Sequence, residues 1–182
     1  MKTTIMSQKN IRKGCSARSG LTIVETLVAI TILVSAVTGP LVIYSNSITN
    51  ARIAQDRTIA VYLAQEGLEF IMYRVTSNFN DGTDWLVPDL NPCADGTPCE
   101  IDALLDSIVS CPSAGCSLLR LDPVSNLFNY SSGPTTIYRR DITIQPSFGG
   151  NPGNALVAVT VSWQGPEKVE SFTLQQHLFR WR

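Results

Sequence analysis

The 182 residues predict an α+β fold in which a long N-terminal helix packs on a small antiparallel sheet. Three observations carry that expectation. Residues 21–44 are apolar or small almost without interruption. Residues 45–74 contain no proline and continue with helical spacing. The last third of the chain alternates apolar and polar residues with period two, as a half-buried strand does. A helix with an apolar stripe and a sheet with an apolar face bury those surfaces most simply against each other. The chain has room for one domain plus an appendage. Its segments read as a basic leader (1–20), a membrane-spanning helix (21–44), an amphipathic continuation of that helix (45–76), a loop-rich, cysteine-containing segment (77–136) and the antiparallel sheet of a head (137–182).

Charge is distributed unevenly. The leader holds Lys2, Lys9, Arg12, Lys13 and Arg18 and no acid. Five of the 14 basic residues therefore lie there against none of the 15 acidic ones, and the remainder carries a net charge of −6. A whole-chain charge of −1 argues against a protein that grips nucleic acid by broad phosphate neutralisation, so no nucleic-acid partner is expected on that ground.

From Leu21 to Tyr44 the only charged residue is Glu25, and a helix of about 20 apolar residues spans a bilayer's hydrocarbon core. Basic residues before the segment and acidic character after it place the N-terminus in the cytoplasm and the bulk of the chain outside. An ordinary secretory signal peptide fits poorly. Its apolar region runs to about 7–15 residues and ends at a small-x-small cleavage site, whereas this one is longer and carries an acid near its start. A plain anchor fits the length but leaves Glu25 unexplained, because a carboxylate toward the membrane interior costs a few kcal/mol and by default marks a partner or a function.

Ser19-Gly20-Leu21-Thr22-Ile23-Val24-Glu25 and the apolar run after it resemble the processing site of type IV prepilins and type II secretion pseudopilins. The resemblance implies that a prepilin peptidase cuts after Gly20 on the cytoplasmic side and N-methylates Leu21, the new first residue. Glu25 then lies fifth in the mature chain. Phenylalanine is usual where Leu21 stands, so leucine is a conservative departure. The motif covers about 30 residues, and within them it is specific because leader, glycine, glutamate and apolar helix must coincide. The implied partners are the peptidase, membrane lipid before assembly, and other pilin or pseudopilin subunits contacted through the N-terminal helix. The implied location is the inner (cytoplasmic) membrane, as a single-pass protein, and then an extracytoplasmic filament or the cell surface.

The assembly step has a physical rationale of its own. Cleavage creates an α-amino group at Leu21, and one subunit's ammonium can neutralise the Glu25 carboxylate of its neighbour. Removing one member of a buried ion pair strands the other at about 3–5 kcal/mol, which favours insertion in one register. A segment that is apolar all round must be surrounded by lipid or by copies of itself. Within it, Gly39-Pro40 predicts a kink or an unwound stretch, because proline has no N–H to bond the carbonyl of Ala36.

Beyond the membrane, Ile48, Ile59, Leu63 and Phe70 fall on one helical face with Arg52, Asp56, Arg57, Glu66 and Glu69 mostly elsewhere. One helix from Leu21 to about Arg74 would measure roughly 80 Å at 1.5 Å per residue. Gly67 costs a helix about 1 kcal/mol relative to alanine, so it marks either a close approach of the sheet or an incidental choice.

Cys93, Cys99, Cys111 and Cys116 lie within 24 residues, spaced C-x5-C and C-x4-C, and the fifth cysteine, Cys15, is in the leader. Loss of the leader leaves an even number, as an oxidising compartment favours. Zinc or four free thiols are the alternatives, but these spacings exceed the usual C-x2-C hook and the neighbours are loop residues. Three pairings are open to four cysteines, with Cys93–Cys99 and Cys111–Cys116 preferred. Two bridges would order this segment, each contributing about 2–4 kcal/mol with short loops at the low end. Ile101, Leu104, Leu105 and Ile108 predict a short helix. Asp81, Asp84, Asp89 and Asp95 lack the spacing of a calcium loop and read as solvated turn residues.

Three strands are expected at Ile137–Gln145, Ala155–Trp163 and Val169–Phe179, with a turn at Gln164-Gly165-Pro166-Glu167. In the second, Val157, Val159, Val161 and Trp163 share one face. No phosphate loop, metal-spaced cluster or nucleophile–base pair is legible, and His177, the only histidine, reads as a sheet residue. No enzyme activity, cofactor or metal is therefore expected. Trp85, Tyr130, Tyr138 and Trp181 are candidates for an exposed ligand or DNA surface, or more simply for packing. The expected function is a filament subunit. A pilin-like adhesin or DNA-uptake tip protein is the alternative displayed on the same helix, and a membrane-anchored extracytoplasmic enzyme, indifferent to Gly20 and Glu25, is the third.

Overall fold

The computed structural model describes Gly20 and residues 22–86, 89–166 and 168–180. The leader up to Ser19, Leu21 and Trp181 lie outside the described residues. The chain divides between Ser47 and Ile48 into two compact units.

Helix α1 (Ile23–Asn80) is 58 residues long and contains Pro40 without a break in its helical assignment. The helical assignment thus runs through Gly39-Pro40, where a kink or an unwound stretch is expected. Pro40 removes one backbone donor, and hydroxyls nearby bond the helix's own carbonyls, Ser35 Oγ reaching the Thr31 oxygen at 2.7 Å and Thr38 Oγ1 the Ser35 oxygen at 3.4 Å. The helix also outlasts the expected end near Arg74, stopping at the Asn80-Asp81-Gly82 turn, where Gly82 has a positive φ of 69°.

In the second unit, α1 buries Ala60, Leu63, Ala64, Gly67, Phe70, Ile71, Val75 and Asn78, a run of three- and four-residue steps. Ile48, assigned to this face from the sequence, is exposed, and the packed stripe begins at Ile59 and Ala60. Small residues explain the difference. Ala60, Ala64 and Gly67 let the helix backbone approach the sheet, and the search for large apolar residues passes over them. A Cβ added at Gly67 would sit 3.1 Å from Val159 Cγ1 and 3.3 Å from both Arg140 Cδ and Ile142 Cδ1. Gly67 is thus a point of close approach.

Among the described residues, seven strands form one antiparallel sheet. They are β1 (Cys99–Asp102), β2 (Ser107–Ser110), β3 (Leu118–Leu121), β4 (Phe128–Asn129), β5 (Thr135–Pro146), β6 (Asn154–Gln164) and β7 (Val169–Phe179). β6 lies between β5 and β7, and the other side of β5 is shared by the β1–β2 and β3–β4 hairpins. The segment expected to be mainly loop therefore supplies four short strands. Ile101 and Ile108, read as part of a short helix, instead face each other across the β1–β2 hairpin. The i, i+3, i+7 spacing fits a helix, but Asp106 at the turn has φ 52° and Asp102 Oδ1 accepts the Leu104 and Leu105 amides, which closes a tight hairpin.

β6 alternates as expected, with Val157, Val159, Val161 and Trp163 buried toward the helix. Disulfides join Cys93 to Cys99 and Cys111 to Cys116. The first ties a 3-10 turn (Asn91–Cys93) to β1, and the second closes the loop after β2.

Crowding at Gly67 makes a direct prediction. Gly67→Leu should destabilise the head by about 1–3 kcal/mol, the usual cost of overfilling a packed seam, seen as a lowered midpoint in thermal unfolding of the detergent-solubilised chain. An unchanged midpoint would mean that the helix does not lie this close.

Candidate functional site

The residues nominated for processing and assembly stand at the start of α1. Gly20 is exposed and non-helical, and Leu21, the expected new N-terminus, lies outside the described residues. Thr22 caps the helix, its Oγ1 accepting the Glu25 backbone N–H at 3.2 Å. Thr22-Ile23-Val24-Glu25 has the form of a capping box, a local role for this tetrapeptide that the sequence reading missed although the S/T-x-x-E pattern was there to find. Glu25 itself occupies the first turn, where the helix dipole favours an acid.

Every described residue from Thr22 to Gln55 is exposed, including Ile23 at 80% and Tyr44 at 66%. A helix apolar on all sides does not persist against water. This one is long and apolar enough to cross a membrane.

In the head, the decisive polar group is one the sequence reading did not single out. Arg140, on β5, is 1% exposed. Its Nη1 donates to Glu66 Oε2 at 2.8 Å and to the Leu63 carbonyl at 3.2 Å, both on α1, and its Nη2 donates to the Ile101 carbonyl on β1 at 2.8 Å. Strand parity held the signal: in β5, Arg140 shares its face with Tyr138, Ile142 and Ile144. Three further polar contacts fix the helix. Tyr138 Oη donates to Asp56 Oδ1 at 3.0 Å, and Arg74 pairs with Asp106 at 2.7 Å and Asp89 at 3.5 Å.

Burial raises the Tyr138 phenol's pKa, and its bond to the Asp56 carboxylate adds to the rise. Burial also pushes Tyr130 up to about 12, against the pull of the Arg140 guanidinium. Burial raises the Asp141 carboxyl too, opposed by Arg139 and reinforced by Glu100.

Trp85 and Tyr138 are core residues and Tyr130 packs against that core, so these three form no exposed ligand surface. The acids considered for calcium are dispersed: Asp89 pairs with Arg74, and Asp84 Oδ1 accepts the Leu86 amide at 3.1 Å. Among the described residues the one group with metal-ligating spacing is Glu100, Cys111 and Cys116, and its two sulfurs are bonded to each other. His177 is exposed on β7 between Phe148 and Phe179.

Fold and site together define a class: a protein whose long apolar N-terminal helix can span a membrane and continues into a disulfide-bonded α+β head. No family model, curated protein or solved structure matches the chain.

Removing the Glu66 carboxylate leaves the Arg140 charge buried with carbonyls alone. Glu66→Ala should therefore cost the head about 3 kcal/mol. Adding Arg140→Met, which removes the charge and keeps much of the bulk, should recover part of that loss in denaturant titrations. A double variant less stable than Glu66→Ala would refute the stranded charge.

The tyrosines predict alkaline sensitivity. Between about pH 10, where an unfolded tyrosine ionises, and the Tyr130 value of about 12, the folded chain holds more protons than the unfolded one. Stability is therefore intact below this window and falls as pH rises through it. Tyr130→Phe and Tyr138→Phe should each flatten the decline in the denaturation midpoint measured from pH 8 to 12.

Proposed function

We propose that the protein is a structural subunit, a minor pilin or pseudopilin, of a type IV pilus or type II secretion filament, assembled through its N-terminal helix after a prepilin peptidase cuts between Gly20 and Leu21. The observation that carries this reading is a coincidence within residues 1–44: a basic leader, Gly20 directly before the apolar run, and Glu25 as the only charge in that run. The helix that bears Glu25 continues unbroken into a folded head.

Before assembly the apolar side chains of residues 23–44 are covered by lipid, and afterwards by the same segments of neighbouring subunits. The positive-inside bias keeps the leader in the cytoplasm with the peptidase. The head lies in the oxidising compartment, where its two disulfides persist. In the growing filament the ammonium at Leu21 of one subunit meets the Glu25 carboxylate of the next, so each charge removes the burial penalty of the other. The role is mechanical and calls for no catalytic group.

Mass spectrometry of the mature N-terminus tests processing. The expected product begins with N-methyl-leucine at Leu21, and an intact leader in a host with active peptidase would refute the reading. Glu25→Ala and Glu25→Gln test assembly. Gln can still complete a capping box, so if the charge is what matters, both variants insert in the membrane and both are depleted from filaments. Normal incorporation of Glu25→Gln would remove the ion-pair mechanism.

A further inference from the structure

We propose that the free edge of β7 accepts the β2 edge of a second copy of this chain, running parallel to it, so that the sheets of neighbouring heads join. Among the described residues β7 pairs only with β6, and its register runs from Asn154↔Phe179 to Gln164↔Val169 without a bulge. From Ser171 to Phe179 it contains no Lys, Arg, Asp, Glu or Pro, the residues with which natural edges repel added strands. Apolar surface flanks both faces of its C-terminal half. Toward the helix, Met72, Val75 and Leu178 help line a groove of about 250 Å³. On the opposite face His177 lies between Phe148, 5.1 Å away, and Phe179, which is 57% exposed. A strand added here directs alternate side chains to those two faces while its backbone bonds the edge.

β2 supplies the matching alternation. Among the described residues it pairs as a strand only with β1, and it carries no charge from Ser107 to Ser110. Ile108 lies opposite Ile101, on the helix side of the sheet, and Val109 lies opposite Glu100 on the other side and is 59% exposed. Laid beside β7, Ile108 comes to the groove and Val109 to the aromatic patch. Direction agrees as well. Each step along β2, β1, β5, β6 and β7 is antiparallel, so β2 and β7 run the same way. Copies that share one polarity therefore meet edge to edge in parallel. Such a contact is heterologous and propagates from copy to copy. It rests on the filament reading for that shared polarity.

The test places photoreactive benzoylphenylalanine at Val109 of the full-length chain, with irradiation of assembled filaments. The expected product is a dimer of this chain whose cross-linked peptide falls within residues 171–179. Gln176→Lys, at an exposed edge position, should lower its yield about tenfold, equivalent to about 1.4 kcal/mol, with the thermal midpoint of the subunit unchanged. Three results overturn the edge pairing while leaving the filament reading in place: filaments that contain the chain but give no such cross-link, capture of a different protein at Val109, or a yield indifferent to Gln176→Lys. A chain that keeps its leader and is never recovered from filaments overturns both.

Discussion

The guanidinium of Arg140 sits where α1, β5 and β1 meet, and the head's architecture depends on its two terminal nitrogens being paired there. Taking such a cation out of water costs several kcal/mol, and here the cost is offset by the Glu66 carboxylate and the carbonyls of Leu63 and Ile101. Those bonds require the helix backbone to lie close to the sheet. Ala64 and Gly67 permit that approach, and the Gly67 position lies within 3.3 Å of the Arg140 side chain once a Cβ is placed on it. The small seam and the buried charge are thus one constraint. Apolar burial alone is non-directional and would tolerate a helix displaced by a turn. Asp56, Glu66 and Arg74, each bound to a particular partner on the sheet side, tie the helix to one register.

The same helix obeys a different rule before it reaches the head. Its side chains from Thr22 to Gln55 are all exposed, and up to Tyr44 they are mainly apolar. No single copy of the chain satisfies both halves in water. The head half is complete with the sheet it packs on, whereas the N-terminal half needs an apolar surrounding, whether lipid or other helices. That contrast runs through one unbroken element, which is why cleavage, insertion and assembly are all proposed for the N-terminal half and stability for the other.

Much of this was legible in the sequence because it rests on periodicity. β6 alternates cleanly since one of its faces meets the helix, and Val169–Phe179 was bounded correctly by the turn at Gly165-Pro166. The β1–β2 hairpin was not legible, because four-residue strands are too short to establish a period and a positive φ at Asp106 leaves no mark in hydropathy. Ala60 and Ala64 were missed for the opposite reason: a seam of small residues is read only when the partner surface is known. Arg140 could have been found. Once β5 is taken as a strand, its parity sets an arginine among Tyr138, Ile142 and Ile144, and a charge in that position demands a buried partner. At the candidate site, Gly20 and Glu25 were legible as a pattern of residues, and the Thr22 cap was legible as well in its spacing to Glu25 but was passed over until its bond showed it.

That cap sharpens the meaning of Glu25. The bond to Thr22 uses the backbone N–H of Glu25, which any residue other than proline would supply, so capping alone does not call for a carboxylate. The helix dipole does favour an acid in the first turn, by about 0.3–1 kcal/mol. Against this stands the few kcal/mol needed to hold an ionised group in an apolar surrounding. The dipole term is the smaller of the two, so a charged Glu25 is not sustained by its own helix once lipid or neighbouring helices cover residues 23–44. If the carboxylate is to stay charged, its cation comes from outside this segment, since Gly20–Tyr44 contains none. In the proposed assembly that cation is the amino group freed at Leu21 of an adjoining subunit, which exists only after the leader is removed, and this makes processing a precondition of joining.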